Sequence, residues 1–334
     1  MLGAALLGLA VSAAHAELGL QRVITLPGVR GQFGQLTLDT THQRLFVTVT
    51  GSSRLLAIDL KKNVISNQLT GLDTPSGIVY LPDGRVAVTG DSNGAISFYT
   101  AATLALSGSL IFGSEAGAVC FDPVSNQVYL GYGREQHGGV AVIGAAGKPL
   151  AQLPTTGHPR GLVVDSLARR LYLGFSTSNA IEVFDLTDNK QIADWSLGAG
   201  DGATYPLVLN GDGKYLFVGG RSGDEIAVLD TQSGKVLQTI SAPGDVAAMS
   251  FDPHRRELYV PGGIGQLAIY TETAGGLLRA IGRIPTRHGA RSGLLDADTG
   301  HYYLALPATK AEPAAIQVYL VIDRATDATQ QNDD

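Results

Sequence analysis

Apolar positions in this chain come in short runs and period-two alternations, each closed by a turn residue. No long helical pattern competes with them. One unit recurs. It has a short apolar strand ending near Asp, a turn, a run of the type "RRLYVG", a loop, an "I-x-V-x-D" run, a turn and a last alternating strand. The copies open as "QLTLDTTHQRLFVTV" at Gln35, "GIVYLPDGRVAVTG" at Gly77, "GAVCFDPVSNQVYLG" at Gly117 and "GLVVDSLARRLYLG" at Gly161. "YPLVLNGDGKYLFVGG" follows at Tyr205, "AAMSFDPHRRELYVPGG" at Ala247 and "SGLLDADTGHYYLAL" at Ser292. Successive starts lie 42, 40, 44, 44, 42 and 45 residues apart. A period of about 40–45 residues with four strands per unit predicts a β-propeller.

The spacing predicts an all-β, seven-bladed propeller of four-stranded antiparallel blades. The seventh unit lacks a fourth strand. The run Leu20–Pro27, "LQRVITLP", is spare at the other end and is expected to complete it as the outer strand. That closure would remove open edges. The propeller is expected over residues 17–322. The polar, acidic stretch 323–334 reads as a frayed tail. Residues 1–16, "MLGAALLGLAVSAAHA", read as a secretory signal with a small-x-small cleavage site. The expectation is therefore a periplasmic or secreted monomer. The apolar run is shorter than the roughly 20 residues of a spanning helix, so no membrane span is expected in the mature chain.

Alternating strand directions decide which loops meet. Loops leading into innermost strands share a face with loops joining second and third strands. On that face the leading loops carry Arg30, Gln32 and Phe33 (blade 1), His158 and Arg160 (blade 4), and Asp201 and Tyr205 (blade 5). They also carry Asp245 (blade 6) and Thr286–Arg291 (blade 7). The other loops add Arg134, Glu135, His137, Arg221, Asp224 and Glu225. His42, His254 and His301 fall on the opposite face, which leaves His137, His158 and His288 here. Arginine forks match carboxylates and phosphates, so this channel mouth is read as an anion site. The alternative for each residue is a tie between neighbouring blades.

Composition narrows the partners. The 334 residues hold 24 Lys and Arg against 30 Asp and Glu, a net charge of −6. That balance disfavours nucleic acid, which needs a basic face. The single cysteine, Cys120, excludes an intrachain disulfide and reads as a buried small hydrophobe. No G-x-S-x-G, H-E-x-x-H, Walker loop or C-x-x-C occurs. Asp91, Glu115, Asp201 and Asp245 are conceivable metal donors, but solvated turn carboxylates explain them more simply. No cofactor and no metal are expected.

The runs "RRLYLG", "AIEVFDL", "IAVLDTQSGKVLQTI" and "RRELYVPGGIGQLAIY" resemble the YVTN/YncE-like bacterial β-propeller family over essentially the whole mature chain. The last blades resemble a subgroup with "hPE", "cR.P", "GDaDD" and "GARTsLfvp" segments. Here these read "GHPRG", "GGRSGD", "APGDVAAM" and "GARSGLLDADTGHYYLALP". Ala247 and Ala248 stand where that pattern has acids, which argues against an acid-dependent metal role. The retained His158, Arg221, Asp245 and Arg291, together with Arg30, are the expected ligand-binding residues; no catalytic residue is assigned. The expected function is a non-catalytic exported scaffold that binds a small anion or a protein partner at the channel mouth. The alternatives, drawn by analogy from other propellers, are a metal-assisted, lactonase-like hydrolase and an accessory protein of a periplasmic redox or cofactor pathway.

Overall fold

The computed structural model describes residues 17–90, 92–134, 137–198, 203–220 and 223–322. The expected signal at 1–16 and the tail at 323–334 lie outside them. The described residues form seven four-stranded antiparallel sheets. Each sheet is a blade, and the innermost strands follow one another around the ring as Leu36–Asp39, Pro75–Leu81, Ala116–Asp122, Pro159–Asp165, Thr204–Leu209, Ser250–Asp252 and Ser292–Asp296.

The position of a strand within its blade explains its composition. Second strands such as Arg44–Val49 are covered on both faces by neighbouring blades, and Leu45, Phe46 and Val47 are fully buried. A strand buried on both sides reads as a continuous apolar run. Outer strands have one wet face, so Val64–Thr70 alternates between exposed and half-buried positions. Polar side chains then stitch blade to blade. Thr48 Oγ1 donates to the Ser76 carbonyl at 2.8 Å, and Thr89 Oγ1 to the Gly117 carbonyl at 3.0 Å. Arg170 Nη1 reaches the Thr231 carbonyl at 2.8 Å.

The turns after the innermost strands carry buried carboxylates. Burial alone would raise the Asp39 pKa, but hydrogen bonds from Arg44 and His42 outweigh it and hold the group below its usual value. These turns lie on the face away from the loops that lead into the ring, as His42 and His254 do. No helix among the described residues is long and apolar enough to cross a membrane.

Two strand starts differ from expectation by three residues. The closing strand runs Glu17–Leu26, three residues earlier than the run expected from Leu20. It pairs antiparallel with Ala314–Ile322, from Glu17 opposite Ile322 to Leu26 opposite Ala314. The innermost strand of blade 6 starts at Ser250, not at Ala247. Asp245 sits at φ 58°, and Val246 makes a single bridge to Gly262 before the chain leaves the ladder.

The closing strand is anchored by side chains as well as by its ladder. Ile24 and Leu26 are 1% and 0% exposed and pack with Val47 and Leu56 of blade 1 and Ile316 of blade 7. Leu26→Ala should cost about 2–5 kcal/mol, the usual range for emptying a filled core position. Urea unfolding monitored by Trp195 fluorescence checks this; a loss under 1 kcal/mol would mean the seam contributes little.

Candidate functional site

The loops that lead into the innermost strands surround a cavity of about 610 Å³ at one end of the central channel. All seven blades contribute to its wall. Thr50 and Ser176, from loops joining second and third strands, line it too, so both loop types share this face. The wall is mostly small or neutral. Its charged members, among the described residues, are Arg160 and Arg291.

Arg291 precedes the innermost strand of blade 7, so its side chain starts at the channel rim. Nη1 donates to Asp245 Oδ1 and Oδ2 at 2.7 and 2.9 Å, and Nη2 to Gln32 Oε1 at 2.8 Å. One guanidinium thus joins blade 7 to the loops leading into blades 6 and 1. Asp245 reaches it through its left-handed backbone and through Gly263, where a Cβ would overlap the Asp245 carboxylate. Asp245 itself does not line the cavity.

Arg160 is the matching group on blade 4. Nη2 donates to Glu115 Oε2 at 2.8 Å, and Arg134 Nε approaches Glu115 Oε1 at 3.2 Å. Arg160 lies back over blade 3, where a Cβ on Gly117 would come within 2.9 Å of its Nη1. Glu115 also stays off the cavity wall.

His158 lies behind this wall, 4% exposed, with Nδ1 3.7 Å from Glu115 Oε2. Burial, reinforced by the nearby Arg160 charge, pushes its pKa down to about 4. It is therefore neutral at neutral pH, and its Nε2 is buried without a hydrogen-bond partner among the described residues. Arg30 is exposed and lies outside the cavity wall, although Gln32 and Phe33 of the same loop line it. Arg221 lies outside the described residues, as do Asp91, Glu135 and Asp201.

Of the expected ligand-binding residues, the structure brings Arg291 and Asp245 into direct contact and sets His158 apart, beside Glu115 and Arg160. Arg160 was not among those expected residues, yet it holds the same kind of place as Arg291. Arg160 is the second residue of its innermost strand and Arg291 immediately precedes its own, each within two residues of a glycine, Gly161 and Gly293.

Arg287 serves the rim differently. Its Nη1 donates to the carbonyls of Pro307 and Pro313, both at 2.8 Å, and its Nη2 pairs with Glu312. It fastens the leading loop of blade 7 to another loop of the same blade. Burial raises the Cys120 thiol to about 12, so it is not a thiolate at neutral pH. Among the described residues no three His, Cys, Asp or Glu side chains stand together as metal donors.

No protein-family model matches the chain. Over 144 residues it is 33% identical to "Uncharacterized protein YncE" of Salmonella typhimurium, covering 42% of this chain and 40% of that protein. The protein of the same description from Salmonella typhi is 32% identical over the same length and shares. The match thus spans about two fifths of these relatives' length. Among solved structures, "Kuenenia stuttgartiensis Hydrazine Synthase" aligns with a TM-score of 0.74 at 15% identity, over 87% of this chain and 98% of that one. "Crystal Structure of Mitotic Checkpoint Complex" aligns with a TM-score of 0.76 at 16% identity, over 96% and 97% of the two chains. These structural likenesses concern the fold alone. The sequence match and the seven-bladed ring together support a YncE-like β-propeller family.

The low pKa of His158 has a measurable consequence. An unfolded chain takes up this proton near 6.5, whereas the folded one resists it down to about 4. Folding stability should therefore fall as pH drops from about 6.5 and level off near 4. Denaturant titrations across that range should give a shallower slope for His158→Gln, and an unchanged slope would refute the assignment.

Proposed function

We propose that this chain is an exported, non-catalytic β-propeller that binds a small anionic ligand at its channel mouth. One observation carries the reading. The described cavity wall presents two guanidinium groups, Arg160 and Arg291, while their partners Glu115 and Asp245 stay off the wall. The charged side chains that line the cavity are thus both arginines among the described residues. Each guanidinium is already held in place by a carboxylate, so little side-chain entropy remains to be lost on binding.

The polar groups between them suit binding. Gln35, Ser76 and Ser250 offer amide and hydroxyl groups that can fix a ligand's orientation. Ser292 Oγ donates to the Phe33 carbonyl at 3.2 Å, and no histidine stands on the described wall to activate a hydroxyl. The cavity volume falls within the usual range for small-molecule sites, about 300–1,000 Å³. Export rests on the apolar 1–16 segment and its Ala14-His15-Ala16 end.

Calorimetry of the purified protein against carboxylates and phosphates should yield at least one binder. Arg160→Gln should weaken it by roughly tenfold or more, the scale of one charge-assisted hydrogen bond. Binding unaffected by both Arg160→Gln and Arg291→Gln would sink the proposal. Fractionation of cells making the full chain should recover a product whose N-terminus is Glu17; a cytoplasmic product starting at Met1 would refute export.

A further inference from the structure

We propose that the ligand is two-ended, an elongated dianion with an apolar spacer, of the α,ω-dicarboxylate class. This rests on the anion-binding reading above and assigns the shape of what binds there.

The two guanidiniums stand far apart around the ring. Arg160 belongs to blade 4 and Arg291 to blade 7, three steps apart, and no two blades of a seven-membered ring are further separated. Their tethers keep them at the rim. Glu115 and the bare backbone at Gly117 hold Arg160 back against blade 3. Asp245 and Gln32 hold Arg291 between blades 6 and 1. An elongated ligand with an anionic group at each end can satisfy both guanidiniums.

The wall between them specifies the middle of that ligand. Passing from Arg160 to Arg291 along blades 5 and 6, the described lining is Tyr205, Pro206, Leu207, Ala247, Ala248 and Met249. Ser250 follows at the edge. This arc carries no described charged side chain, and an apolar chain laid against its side chains removes apolar surface from water. The facing arc is more polar, with Gln32, Gln35, Thr50 and Ser76. A methylene chain suits the first arc, and its terminal carboxylates suit the arginines at either end.

The test is calorimetry with dicarboxylates from succinate through sebacate and with the monocarboxylates of matching length. Affinity should peak at one dicarboxylate length and exceed that of the matching monocarboxylate by about tenfold or more. Arg160→Gln should flatten the length dependence. Ala248→Asp, which places a carboxylate on the apolar arc, should weaken the longer dicarboxylates more than acetate and gives a second route if Arg160→Gln fails to fold. Equal binding of mono- and dicarboxylates at every length would overturn the two-ended ligand and leave the anion site standing. Binding of phosphate but of neither carboxylate series would do the same. No binding by any anion would overturn both.

Discussion

The antiparallel pairing of Glu17–Leu26 with Ala314–Ile322 is the contact on which the ring depends. Every other blade is built from consecutive strands and needs only hairpins. The last blade joins segments from opposite ends of the described chain, so its loop-closure entropy is the largest in the fold. Backbone bonds alone would leave an edge able to slip. Ile24 and Leu26, buried among blade 1 and blade 7 side chains, set the register. With the ring shut, each blade has a neighbour on both faces, and the apolar second and third strands are covered.

Closure also places the site. The loops around the cavity come from segments as far apart as Gln32 and Arg291, and they meet because the first and last blades are neighbours. The charged groups follow one plan on both sides of the mouth. An arginine leaves the head of an innermost strand and lies against the wall, held by a carboxylate of the preceding blade: Glu115 of blade 3 holds Arg160 of blade 4, and Asp245 of blade 6 holds Arg291 of blade 7. Such a pair is only partly solvated, so it restricts the guanidinium more than it attracts it from a distance.

Much of this was legible in the sequence. The repeat located all seven blades because each blade repeats the same burial pattern, and that pattern leaves a periodic apolar trace. The missing fourth strand of the last unit pointed to the N-terminal run that fills it. Blade 6 starts three residues later than its repeat implies, because after the single bridge from Val246 to Gly262 the chain leaves the ladder until Ser250, a break that the apolar pattern does not reveal. The site was less legible for a different reason. Alternation of strand direction put Arg291, Asp245 and His158 on one face. It did not say that Arg291 and Asp245 would bind each other, nor that burial would leave His158 neutral. Both depend on distances between blades, which no local pattern encodes. Arg30 and Gln32 are two residues apart in one loop, yet only Gln32 reaches the cavity, because the turn between them decides which side chain faces inward.

Arg291 holds three blades at once, through its own strand, Asp245 and Gln32. A molecule that grips this guanidinium therefore grips the keystone of the ring. Occupancy and closure are thermodynamically linked, since whatever binds the closed ring in preference to the opened one stabilises it in proportion to the logarithm of its concentration. The same contacts that tie blade 7 to blades 6 and 1 thus couple the state of one side chain at the inner rim to the closure of the whole ring.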